Sequence, residues 1–249
     1  MKRRTRRLLR ALSGIPLPVR AAAAGVALLA VFALANWIYH AVRKPSELLF
    51  PVSGVLFKTP AATWRDYGPL FREHATAVVS PELLAALAQV EGGGNPLART
   101  YWRWQLALNP FEVYRPASSA VGMMQITDAR FAEAKRYCIH YHKVADEACW
   151  FNRFYNRLVP SHAVELTAAF LDRAVAGALA RARVSRATLQ QQQDLAAVIH
   201  LCGATAGDGF ARRGFRPAPG QRCGDHPLAA YLAQVNAAKR QFARLAGGA

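Results

Sequence analysis

The chain begins without acid. Residues 1–44 contain no aspartate or glutamate, and residues 21–42 contain no charged side chain of either sign. An uncharged run of 22 residues has no polar face, which favours a spanning helix over one lying flat on a membrane surface. Cysteine is scarce, with four in all, and none stands in the C-x-x-C spacing common among zinc ligands. There is no internal repeat and no strand ladder of alternating apolar and polar residues, which leaves a mainly helical chain. No nucleic-acid-binding motif is present, so nucleic acid is not an expected partner.

What is present fits a globular or membrane-attached protein and not a disordered one: 249 residues, 53% hydrophobic and 19% charged. The net charge of +17 is unevenly spread. Nine of the 32 lysines and arginines lie in residues 1–44, which leaves the remainder only moderately basic. Seven of the nine precede Ala21–Val42, a run long enough to span a bilayer, with Trp37 and Tyr39 near its far end as interfacial aromatics. The positive-inside rule then keeps the N-terminus in the cytoplasm and exports everything from about Arg43 onward. Ala33-Leu34-Ala35 also fits a signal-peptide cleavage site, but the apolar run continues past it, so an uncleaved anchor is the reading taken. The expected order is a basic tail over 1–20, a transmembrane anchor over 21–42, a proline-rich linker over 43–62 and one helical domain over 63–249.

Beyond the membrane, Cys138, Cys149, Cys202 and Cys223 are disulfide candidates. Three pairings are open, and proximity favours Cys138–Cys149 and Cys202–Cys223. Zinc is the competing reading, because His140, His142 and His226 lie near these cysteines.

The most informative stretch is Ser80–Ala98, SPELLAALAQVEGGGNPLA. Ser80 is an N-cap, Pro81 suits the first helical position, and Gly92 can close the helix in the left-handed conformation. Glu91 follows Leu87 by four residues and Leu84 by seven, so it shares their apolar face. Burial and the negative end of the helix dipole both disfavour its charge, as a general acid requires. The three glycines after it are expected to leave the carboxyl open to a bulky ligand.

A second motif, SSAVGMMQIT, follows at Ser118–Thr127. Together the two resemble the lytic transglycosylases of the soluble (SLT) type, which have a lysozyme-like domain. That family carries a catalytic glutamate in an E-S-x-x-N-P pattern followed by G-x-M-Q. Glu91, Asn95 and Pro96 match the first pattern, and Gly122, Met124 and Gln125 the second. PSHAVELTAAFLDRAV resembles a later family helix, predicted here to be capped at Ser161. The likeness covers roughly Ser80 to Gly209.

The sequence also departs from the family. Gly92 stands where the family has serine. Twenty-five residues separate Pro96 from Gly122, most of them the aromatic stretch Tyr101–Arg115. The family's A-Y-N-A-G is Ile199-His200-Leu201-Cys202-Gly203, which puts His200 in the place of a site tyrosine.

The resemblance implies a peptidoglycan lytic transglycosylase with Glu91 as its catalytic residue. Asn95, Met124, Gln125 and His200 would contact substrate, and neither metal nor cofactor is needed. The substrate would be peptidoglycan glycan strands, and the chain an inner-membrane, single-pass protein with a periplasmic domain. A hydrolase on the same fold would need a second carboxyl, with Glu112 and Asp128 as candidates, or His200 to position water. A non-catalytic peptidoglycan-binding module is the remaining alternative. Trp102 and Trp104 are candidates for stacking on sugars.

Overall fold

The structure, a computed structural model, describes residues 16–248. The basic residues from Lys2 to Arg10 lie outside the described residues. The chain divides into two compact units, residues up to 48 with 102–117, and residues 49–101 with 118 onward. This departs from a single domain over 63–249: the segment 102–117 belongs with the N-terminal helix.

In the first unit, helix α1 (Leu17–Arg43) starts at Pro16 with a proline in its first turn. It is long and apolar enough to cross a membrane, and most of its length is exposed. Only Asn36, His40 and Ala41, near its C-terminal end, are buried. The aromatic stretch contains a β-hairpin, with β1 (Trp102–Trp104) antiparallel to β2 (Tyr114–Pro116) and Trp104 opposite Tyr114.

The second unit is helical. The later part of the stretch read as a proline-rich linker forms short helical turns, among them α2 (Phe50–Ser53). Helix α3 (Pro60–Glu73) is capped by Thr59, whose hydroxyl accepts from the Ala62 amide. Helix α4 (Pro81–Gly92) is capped by Ser80 as the sequence predicts. Every residue from Leu83 to Ala88 is buried, so α4 is enclosed on all sides. Trp64 and Phe71 of α3 stack beside it, and Trp64 also meets Phe242 of the closing helix. Truncating a side chain such as Leu84 to alanine would cost ~2–5 kcal/mol.

Helix α5 (Asp128–Ala134) is capped by Thr127. Helix α6 (Pro160–Ala182) begins one residue before the predicted Ser161 cap and has no side-chain cap; its fixed start comes from Pro160. It buries Val164, Leu166 and Leu171 against the core. Thr188 and Gln191 form a capping box at the start of α7 (Leu189–Cys202), which is followed by α8 (Ala204–Arg212) and α9 (Leu228–Gly247). Two small hairpins complete the unit: β3 (Cys138–His140) with β4 (Lys143–Ala145), and β5 (Arg222–Cys223) with β6 (His226–Pro227).

The disulfides are Cys138–Cys149 and Cys202–Cys223, with Cα atoms 5.4 and 5.3 Å apart. All four sulfurs are therefore in bridges, and none is a thiolate available to zinc.

Candidate active site

Glu91 sits in the last turn of α4, on the apolar face its spacing predicts, with 16% of its side chain exposed. Burial raises its pKa above that of an ordinary glutamate, and burial is the largest influence on it. Three groups partly oppose the rise. The first is Tyr231 on α9, whose hydroxyl donates to Glu91 Oε1 at 2.5 Å. The others are the charges of His226, exposed in β6, and Arg130 in α5. Tyr231 is itself buried, and its pKa lies well above the usual phenol value, so it acts as a neutral donor.

His200 Nε2 lies 3.6 Å from Glu91 Oε1. This is not an ion pair: burial, assisted by the nearby Arg130 guanidinium, pushes the His200 pKa down to about 3, so the ring is neutral. Arg130 faces His200 Nδ1 at 3.5 Å and donates to the carbonyls of His200 and Ile199 at 2.6 and 3.1 Å. A guanidinium only donates, so Nδ1 is the accepting nitrogen and the ring proton sits on Nε2, toward the acid. The result is a buried carboxyl flanked by two neutral ring side chains and steadied by a more distant cation.

The disulfide Cys202–Cys223 joins the end of α7, two residues past His200, to the hairpin that leads into α9 and Tyr231. One cross-link thus ties together the chain segments that lead to both partners of the acid.

The glycines after Glu91 do not hold a cleft open. A Cβ on Gly92 would lie 2.7 Å from the backbone of Met123, and one on Gly93 would lie 2.6 Å from the Phe57 ring. These residues let the end of α4 close against the G-x-M-Q loop and the turn before α3. The left-handed closing residue is Gly93 (φ 57°), one position later than predicted. Serine in place of Gly92 would meet the loop backbone, which is why the family's hydroxyl has no room here.

The other predicted contacts mostly lie behind the site. Asn95 and Met124 are fully buried, and the His200 side chain is 1% exposed, so none of the three offers a surface to a sugar. Asn95 instead pins the loop after α4, its amide donating to Ser53 O and its Oδ1 accepting from the Leu97 amide. Gln125 adopts a left-handed backbone (φ 44°), and its amide nitrogen donates to Gly122 O and Ala98 O, bracing the same loop.

The candidate second carboxyls are committed elsewhere. Glu112 belongs to the first unit and pairs with Arg43 and Arg115, and Asp128 pairs with Arg157 at 2.6 Å. Trp102 and Trp104 also belong to the first unit, where both pack on Tyr114. Tyr231 was missed in the sequence. Its only signal is a lone aromatic near the start of the alanine-rich helix that follows Asp225-His226-Pro227.

Residues 69–187, which include Glu91 and the G-x-M-Q loop, match the family model of the transglycosylase SLT domain. The chain carries an SLT domain. No curated protein and no solved structure matches the chain. The SLT domain makes peptidoglycan the implied substrate class and a transglycosylase-type reaction the implied activity.

Proposed function

We propose that this protein is a membrane-anchored lytic transglycosylase that cleaves peptidoglycan between N-acetylmuramic acid and N-acetylglucosamine, with Glu91 as its only catalytic carboxyl. The observation that carries the reading is the setting of Glu91: burial favours its protonated form, and the groups that tune it are Tyr231, His226 and Arg130, none of them a carboxylate.

In the first step the Glu91 carboxyl gives its proton to the glycosidic oxygen as the C1–O bond breaks. Positive charge builds at C1, and the new carboxylate lies on the same side of the sugar. In the second step the muramoyl C6 hydroxyl attacks C1 and loses its proton to Glu91, which restores the acid and leaves a 1,6-anhydromuramoyl end. No water is consumed, so no second carboxyl is required to activate one. Tyr231 supports the ionised interval by donating to Oε1. His200, neutral with its proton on Nε2, adds a second polarisable donor beside the same oxygen. Helix α1 holds the protein in the inner membrane, with the SLT domain in the periplasm.

The test uses the full-length protein in detergent with purified sacculi, and mass spectrometry of the released muropeptides. The reading expects fragments lighter by one water than hydrolytic products, with release reduced ~10²–10⁴-fold by Glu91→Gln. Reducing-end products would establish a hydrolase. Binding to sacculi without any release above the variant would establish a glycan-binding module.

A further inference from the structure

The segment 102–117 makes up most of the long stretch between the two motifs, and the site described above makes no use of it. It packs on the anchor helix, and its contacts lie along the part of α1 that a bilayer would cover. Asn36 Nδ2 donates to Tyr114 O at 2.8 Å. One turn later, His40 Nε2 lies 2.7 Å from Phe111 O; a carbonyl only accepts, so Nε2 carries the proton and donates. The Phe111 ring stacks on Tyr39 and Phe32, with centroids 5.0 and 6.1 Å away. Taken from Arg43 at 1.5 Å per residue, Tyr39 and Phe32 lie about 6 and 16 Å along the helix, within a hydrocarbon core of about 30 Å.

Asn36 and His40 are the polar side chains that α1 buries, and both serve carbonyls of the hairpin. Non-helical backbone at membrane depth must have its polar groups satisfied by protein, and polar residues inside a span mark the place where that is done.

The outer side of the hairpin is apolar. Leu106 and Leu108 are fully exposed, Trp104 is 74% exposed, and residues 104–111, WQLALNPF, contain no charge. The charged residues gather at the other end. Arg43 and Arg115 flank Glu112, and Trp102 donates its indole N–H to Glu47 Oε2, which is also the carboxylate facing Lys44. From Trp102 beside Glu47 to Trp104 opposite the Asn36-bound Tyr114, β1 runs back along α1 away from these charges. Leu106 and Leu108 follow in the loop between the two strands.

We propose that the 102–117 hairpin is a second membrane element, which buries Leu106 and Leu108 in the acyl region of the outer leaflet beside α1, with its arginines at headgroup level. The inference rests on the reading of α1 as a retained membrane span. The SLT domain is then held to the bilayer through the two chain connections of the hairpin as well as through the segment after α1. Lipid is the occupant the observations favour because the exposed leucines stand in an uncharged loop of the same unit as the spanning helix, and because that helix binds the hairpin carbonyls of Phe111 and Tyr114.

The test places an environment-sensitive fluorophore at one introduced cysteine at a time in the full-length protein reconstituted in phosphatidylglycerol–phosphatidylethanolamine vesicles. The positions are Leu108→Cys, Leu28→Cys in the middle of α1, and Gln190→Cys at the exposed start of α7. All three side chains are exposed, and Gln190→Cys gives up only surface hydrogen bonds to Asp194, Asn236 and Lys239. Quenching is compared between spin-labelled lipid and aqueous iodide. The proposal expects positions 28 and 108 to be quenched several-fold more by lipid than by iodide, and position 190 the reverse. If position 28 answers to lipid and position 108 to iodide, the anchor stands and the hairpin proposal fails. If position 28 answers to iodide, the anchor reading fails and takes the proposal with it. If position 108 is shielded from both quenchers, a protein partner covers the hairpin and lipid is overturned as the occupant.

Discussion

The Tyr231 hydroxyl donates to Glu91 Oε1 at 2.5 Å, across 140 residues of sequence. It links the last helix of the second unit to the end of its most buried one. The contact stabilises the ionised acid and so opposes the effect of burial, which leaves Glu91 raised but still able to accept a proton.

Tyr231→Phe removes that donor. Loss of a hydrogen bond to a charged group is worth ~1.5–3 kcal/mol, so activity on sacculi should fall about tenfold or more. The sign of the pH effect follows from the same contact. Without the phenol, the ionised form loses support, the Glu91 pKa rises further, and the alkaline limb of the pH–rate profile moves to higher pH. A lower rate with an unmoved profile would mean that Tyr231 acts only through packing.

Glu91→Gln should stabilise the fold at neutral pH. A carboxyl whose folded pKa is raised binds its proton more tightly when folded, so its relative contribution is favourable below the unfolded pKa and is lost as pH rises through the folded value. The variant and the wild type should therefore melt together near pH 4 and diverge as pH increases, with the variant higher. Each kcal/mol appears as about 2–4 °C in Tm at this chain length. Thermal melts from pH 4 to 8 check it, and parallel curves would refute the burial argument.

Gly92→Ser tests whether the family's serine fits. Its Cβ would lie 2.7 Å from the Met123 backbone, so the G-x-M-Q loop must shift, at a cost of ~1–3 kcal/mol. Stability should drop by that amount in denaturant titration. Unchanged stability together with higher activity would show that the loop yields and that the hydroxyl helps the acid.

Removing Cys202–Cys223 should cost ~2–4 kcal/mol, as for other loops of this size. Because this bridge ties the segments that lead to His200 and Tyr231, Cys202→Ser/Cys223→Ser should also lower activity measured well below the melting temperature. The Cys138–Cys149 pair touches neither partner of the acid, and its double serine variant should lose stability without that activity loss.

Local features were legible in the chain itself. The cap at Ser80 is a short-range hydrogen bond, and the apolar run of α1 is a matter of length and composition. The face carrying Glu91 follows from helical periodicity, and the favoured cysteine pairs from proximity. Tertiary packing decided the rest. Nothing near Tyr231 in sequence announces a partner for Glu91, and nothing near Glu112 announces that it will face Arg43 instead of a sugar. The glycines after Glu91 looked like clearance because sequence shows a missing side chain but not the backbone that comes to fill its place. Asn36 and His40 stand within the apolar run, and only the folded hairpin supplies the carbonyls they bind. Capping and periodicity depend on neighbours within a turn or two of helix, whereas a site and a docked hairpin depend on which distant surfaces meet when the core closes.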